Sequence, residues 1–478
     1  MSDRIRAGLM KIRRRQPLAL LLVGSLFFGG CASFSPDGGF ASVEKTAQER
    51  LGKELRWSRT EVDQARTDRQ VAELLSQPLS VDAAVQLALL NNRGLQAQFE
   101  ELRLSEAQVV QAGRLPNPGF SFSRLRRGDE LELERGLHFN LARLLAMPLT
   151  GAMEARRFEQ TKAQVAMAVL SLAFETRKTY VHAVAAQESV RYMRQVKQAA
   201  DASAELARRM EQVGNFNKLQ RAREQSFSAE ATLNLARAEQ QQQSTRERLT
   251  RLLGLWGAQT QFTLPERLPD LPQQALNLPD IERTALAQRL DVQGAKLAAE
   301  HTAKNLGLSR TTRFINVLEL GLARNSSNEA PTRRGWEVAV ELPLFDWGGA
   351  RVAQAEAVYM QAVHRAAETA INARSEVREA YRNYRLAHDM AAYQRDEVLP
   401  LQQRVSEENL LRYNGMLIGV FELLADARAQ IASVNASIQA LRDFWLAQSD
   451  LDMALIGKPN LTPAPSPSMA KQVAGEGH

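Results

Sequence analysis

One cysteine in 478 residues, Cys31, excludes an internal disulfide and any thiolate metal cluster. The histidines, at 138, 182, 301, 364, 388 and 478, include no i, i+4 pair, which argues against a zinc site built on one helix face. A phosphate-cradling loop is missing as well. Asp346-Trp-Gly-Gly-Ala-Arg351 has neither the Lys-Ser/Thr pair nor the glycine spacing such a loop needs, and reads instead as the start of a helix. No Ser/His/Asp or Cys/His grouping can be assembled, and Glu407-Glu408 fits a solvated helix face better than acid/base machinery. These absences describe a protein that is not an enzyme and holds no cofactor or resident metal.

Charge of one sign is scarce too. The chain has 61 Lys+Arg against 54 Asp+Glu, a net +7, but residues 1–30 hold six of the bases and one Asp, so removing that segment leaves +2. The remaining bases are interleaved with acids along helices, and nucleic acid is not an expected partner. The strongest apolar run, Leu18 to Phe28, is short for a membrane span and follows Arg4, Arg6, Lys11 and Arg13 to Arg15, the layout of a signal peptide. Gly29-Gly30-Cys31 then resembles a bacterial lipoprotein signal. That resemblance implies lipidation of Cys31, and Ala32 after it implies an anchor in the outer membrane.

What the chain does have is a duplication. Residues 79–257 and 278–457 follow one pattern at an offset of about 200 residues, too long for a solenoid unit. Each copy reads as helix, alternating apolar segments, very long helix, Gly-containing turn and return helix. A lipid-anchored segment (31–78), a linker (258–277) and a Pro-rich tail (458–478) without helical character complete the expected organisation. Residues 31–78 are polar and weakly patterned.

Thr150 to Val213 and Gly348 to Asn414 are poor in glycine and rich in Ala, Gln, Glu, Arg and Leu, which predicts one helix each, about 95 to 100 Å long. Helices of that length do not bury themselves in a globule. Their return partners, about Leu219 to Trp256 and Ile418 to Ile456, are much shorter. The helices expected over Val81 to Gly113 and Asp280 to Arg310 supply the rest if they stack end to end on the return helices. The apolar positions are small, as Ala163, Ala166, Ala355 and Ala362 illustrate, and suit a coiled-coil-like wall with neighbours on two sides. A long solvated coiled coil has the same composition.

Strands are expected from Phe120, Phe122, Leu137, Phe139 and Leu141 in copy one, and from Leu318, Leu320, Leu322, Trp336, Val338, Val340 and Leu342 in copy two, all alternating with small or polar residues. Arg126 to Leu133 and Asn325 to Arg333 are charged and read as the hairpin loops. A soluble half-buried sheet shares this alternation, but a sheet shared between chains would also remove the edges one protomer leaves open.

The Leu115-Pro-Asn-Pro118 segment, Glu341-Leu-Pro-Leu-Phe-Asp-Trp-Gly-Gly-Ala-Arg351 and the turn segment Arg412 to Arg428 resemble the TolC-type outer-membrane efflux protein family, in its lipoprotein subtype, over nearly the whole mature chain. The resemblance implies a mainly α fold with a small β part: duplicated long helical hairpins forming an α-barrel, and four strands per chain contributing to a trimeric transmembrane β-barrel. It further implies a homotrimer in outer-membrane lipid that carries small molecules or metal ions, with a periplasmic adaptor and an inner-membrane pump as partners. A periplasmic structural or adaptor protein and the duct of a protein-secretion system are the other readings; an adaptor has one helical hairpin, not two.

Two turns concentrate the candidate contacts. Gly214 and Gly415 permit chain reversal, and Phe216, Met416, Leu417 and Ile418 place apolar side chains there, either for the adaptor or for packing within the tip. Glu422 and Asp426 are the carboxylates that the resemblance implies as a gate repeated by threefold symmetry, with Arg412 and Arg428 within reach along the helices.

Overall fold

The structure is a computed structural model, and its described residues are 33–312, 317–341 and 344–459. Cys31, Pro343 and the tail from 460 onward lie outside them. In the first repeat α1 (Phe40–Leu51) and α2 (Glu61–Leu75) precede α3 (Val81–Asn91), α4 (Arg93–Ala112), β1 (Gly119–Arg127), β2 (Glu130–Asn140), α5 (Leu141–Gln212) and α6 (Lys218–Leu253). The second repeat gives α7 (Ile281–Gln288), α8 (Leu290–Thr312), β3 (Leu318–Ser327), β4 (Arg333–Val340), α9 (Gly349–Tyr393), a π turn (Gln394–Val398), α10 (Leu399–Asn414) and α11 (Val420–Ile456). No helix among the described residues is long and apolar enough to cross a membrane.

The chain divides into two compact units. One comprises residues up to 41, 100–163 and 294–367, and the other 42–99, 164–293 and 368 onward. Each unit draws on both repeats, so the strands of both copies share the first and the helix-to-helix turns of both copies share the second.

The second unit holds two apolar cores that mirror each other. Leu79, Leu87, Tyr180, Val184, Leu249, Leu253 and Phe262 form one, and Ala285, Val377, Tyr384, Phe444, Leu451 and Ala454 the other. In the first, the Tyr180 hydroxyl donates to the Leu79 carbonyl at 2.9 Å; in the second, the Tyr384 hydroxyl accepts from the Leu276 amide at 3.0 Å. Each repeat thereby ties its long helix to the extended segment before its short one.

The single helices expected over Val81 to Gly113 and Asp280 to Arg310 are both broken, at corresponding places. Asn92 is extended (ψ 117) and so is Arg289 (ψ 124). The breaks are joints with the return helices. Asn91 donates to the Leu253 and Gly254 carbonyls at 3.0 and 2.8 Å, and Asn92 to Leu252 at 2.9 Å, satisfying carbonyls that the end of α6 leaves open. Gly254 (φ +67) closes that end, and a Cβ on it would stand 2.6 Å from the Asn91 carbonyl oxygen. In the second repeat, buried Arg289 donates to the Ala454 carbonyl at 3.5 Å and pairs with Asp291 and Glu376 at 2.7 and 2.6 Å. The expected end-to-end stacking is therefore present, with a joint in place of a continuous rod.

Three boundaries differ from expectation. The first long helix starts at Leu141 and runs through Pro148, whereas the second is interrupted by the π turn immediately before Pro400. Proline lacks the N–H of the i→i−4 ladder, and widening the preceding turn is one way a helix absorbs it. Residues 31–78, polar and weakly patterned in sequence, supply α1 and α2; Thr60 and Asp63 form a capping box at the start of α2, and Val71 joins the first core.

Candidate membrane sheet and helical turns

The four strands form one antiparallel sheet in the order β1-β2-β3-β4. They reach farther into the expected loops than the apolar alternation indicated: Glu130 pairs with Arg127, and Asn325 with Arg333. The charged residues taken for loops alternate with apolar ones, and so belong to the pleat. Register is regular throughout, which separates two faces. Phe120, Leu137, Leu322 and Trp336 lie abreast on one face, with Phe139, Leu320 and Val338 beside them. The other face carries Glu130, Glu132, Glu134, Glu319 and Glu337, with Leu125, Arg127 and Arg333 near the hairpin turns and small or polar residues elsewhere. On it His138 receives or gives a 2.9 Å hydrogen bond with Ser121, and it fits because positions 136 and 321 are glycine.

The apolar face is open to the surroundings, as Phe120, Trp336 and Val340 are all more than half exposed. Strands β1 and β4 are free edges. Exposed apolar side chains continue beyond the strands at Leu145, Leu344, Phe345 and Trp347.

In the other unit the two turns share one hydrogen-bond plan. Asn215 donates to the Met210 carbonyl at 2.8 Å, and Leu417 to the Arg412 carbonyl at 2.8 Å, five residues back in both cases. The left-handed residue before each donor is Gly214 (φ +79) in the first turn but Met416 (φ +59) in the second. Gly415 is thus not the reversal glycine expected of it; its φ is −78. A methionine holds that strained position, 93% exposed, beside Leu417 at 77%. Phe216 and Ile418 are half-buried. Val213 and Leu219 are the other exposed apolar residues of the first turn.

The candidate gate residues have different surroundings. Glu422 is exposed on the first turn of α11, while Asp426 is only 7% exposed and accepts from Gln402 at 3.2 Å, its second carboxylate oxygen buried without a hydrogen bond. Neither forms an ion pair among the described residues. Arg428 is engaged elsewhere: it donates to Glu224 at 3.2 Å and lies 4.4 Å above the Phe227 ring, and Ser203 donates to the same carboxylate at 2.8 Å. Glu224, with 1% of its side chain exposed, joins the first helical hairpin to the second. It sits in a polar, Gln-rich helix where nothing in the sequence marks it.

Among the described residues no His/Cys/Asp/Glu group is placed to hold a metal ion. Half-buried His182 is pushed down to about 4, first by desolvation and then by the charges of Arg442, Lys178 and Arg248.

No protein-family model matches the chain. It is 26% identical over 284 residues to the cobalt-zinc-cadmium resistance protein CzcC of Cupriavidus metallidurans, an alignment covering 56% of the chain and 64% of that protein. The chain thus matches less than two thirds of the curated relative's length. Among solved structures it resembles a membrane protein from Pseudomonas aeruginosa (TM-score 0.69, 18% identity, 78% of this chain and 92% of that one). It also resembles the Campylobacter jejuni CmeC outer membrane channel (TM-score 0.67, 19% identity, 86% and 91%).

Proposed function

On the premise that this chain has the fold of the TolC-type outer-membrane channels, we propose that it is the outer-membrane duct of a tripartite export system. Three copies close their free β1 and β4 edges into one barrel with the apolar faces toward lipid and the glutamate faces toward water. The two-faced, open-edged sheet is the observation that carries this reading. The duct is passive and does no chemistry: cargo reaches it from an inner-membrane pump, through a periplasmic adaptor that docks on the turns at Gly214 and Met416. The apolar side chains of Val213, Met416 and Leu417 supply the adaptor contact. Cys31 is lipidated and anchors the protein in the outer membrane.

A glutamate-lined lumen favours cations, and the likeness to a cobalt-zinc-cadmium resistance protein supports divalent metal ions as cargo. The wall need not ligate them, since transport through a water-filled duct requires only that they are not repelled. Glu422, exposed beside the turn, supplies a ring of three carboxylates that narrows the closed duct; Asp426, buried against Gln402, backs it. Single-channel recording in planar bilayers tests the proposal. The purified protein is expected to conduct with cation preference, and Glu132→Gln with Glu134→Gln to reduce that preference. Anion preference, or no conductance from a folded trimer, overturns it.

A further inference from the structure

The register that places Phe120, Leu137, Leu322 and Trp336 abreast also dictates what comes next on the same face, one step nearer the hairpin turns: Phe122, Arg135, Arg324 and Arg334. Arg124 follows in the next row and Arg126 beyond it. Same-face neighbours along a strand are about 6.8 Å apart, so the basic row starts some 7 Å past the aromatic one. This face of the sheet bears no carboxylate, whereas the opposite face carries five glutamates. Arg124, Arg135, Arg324 and Arg334 make no ion pair within the protomer among the described residues, and all but Arg135 are exposed.

Arginine on a lipid-facing strand is strongly unfavourable at the middle of a bilayer and tolerated near its surface. The aromatic side chains of Phe120, Phe122 and Trp336 mark that surface, because amphipathic and aromatic rings collect at headgroup depth. Every base on this face is Arg, whose planar fork grips phosphate oxygens in pairs, a geometry Lys lacks. We propose that Arg135, Arg324 and Arg334, extended by Arg124, form a phosphate-binding girdle for the anionic, phosphorylated glycolipid of the outer leaflet. The proposal rests on the reading of the sheet as membrane-embedded with its hairpin turns outward. It gives the barrel a fixed depth and a specific lipid, neither of which an apolar band alone supplies.

Native mass spectrometry of the full-length trimer extracted from outer membranes tests it, with added bisphosphorylated lipid A, enzymatically dephosphorylated lipid A, or neutral phosphatidylethanolamine as probes. Bisphosphorylated lipid A is expected to be retained in preference to both others. The R135Q/R324Q/R334Q variant should lose about a hundredfold in that affinity, at roughly a factor of five for each surface arginine. R135K/R324K/R334K should recover only part of it. Equal retention of the dephosphorylated lipid, full binding by the Gln variant, or displacement by excess inorganic phosphate alone overturns the girdle. Wild-type protein found in the outer membrane yet without phosphate-dependent retention sinks the girdle and leaves the duct standing; wild-type protein absent from the outer membrane sinks both. Trimer yield of the Gln variant in the same fractions separates lost binding from lost folding.

Discussion

Replacing Arg428 by alanine strips a buried carboxylate of its cation. Glu224 is almost wholly inaccessible, and Arg428 at 3.2 Å is its ion-pair partner, with Ser203 adding one hydrogen bond. Removing one member of a fully buried pair costs about 3–5 kcal/mol, and exposed pairs contribute about 0–1 kcal/mol. Because 40% of the Arg428 side chain is exposed, the change belongs between these limits, at about 2–3 kcal/mol including the lost contact with Phe227. Glu224→Gln keeps the Ser203 contact and removes the charge, so it should cost less, about 1 kcal/mol. The double variant should then be more stable than the sum of the two predicts, because the neutral amide no longer needs the guanidinium. Unfolding midpoints of the detergent-solubilised protein for the three variants close this cycle. Conductance should rise in Arg428→Ala, since the pair joins the two helical hairpins near their turns. Additive losses, or an Arg428→Ala midpoint equal to that of wild type, would refute the argument.

Cys31→Ala should abolish labelling by radioactive palmitate while leaving the trimer assembled, because barrel and helical wall supply their own contacts; persistent labelling refutes the anchor. Cysteines placed at Asn328 and at Gly415 should react differently with an impermeant thiol reagent on intact cells, labelled at 328 and protected at 415, and the opposite pattern reverses the orientation. His182 is pushed down to about 4 from 6.5, so its neutral form favours the folded state. The stability it contributes is present above about pH 6.5 and lost as pH falls toward 4, on the order of 2–3 kcal/mol, and His182→Gln should flatten unfolding midpoints over that range. Alanine at both Glu422 and Asp426 should raise conductance without lowering trimer yield, an effect that Glu422→Ala alone should largely reproduce.

The duplication, the long helices, both hairpins and the stacking of short helices on return helices were legible because each rests on a period sustained over many residues. Detail failed where a local signal was outweighed by tertiary contacts. Asn92 and Arg289 lie in segments with good helical composition, yet the helix breaks there because their own side chains meet the open carbonyls of another one. Glu130 to Leu133, within the segment expected as a charged loop, are strand residues: charge is common in loops, but a strand with one wet face accepts the same residues. In the turn at 412–420 the sequence points to the correct residues but one position out, since glycine is the expected left-handed residue and methionine occupies the position instead. Glu224 could not be found at all. Its importance lies in a partner two hundred residues away, and only packing brings Arg428 to it.

The regular register of the sheet has a further bearing on assembly. Side chains alternate strictly between faces, so in the proposed barrel a slip of one residue in a new pairing made at β1 or β4 would turn the incoming copy's glutamate face toward its neighbour's leucines and arginines. Only even offsets keep like with like. In the proposed barrel the two chemistries therefore set the phase of assembly: a copy joined out of phase would turn its five glutamates toward lipid, and only in-phase copies could close the ring.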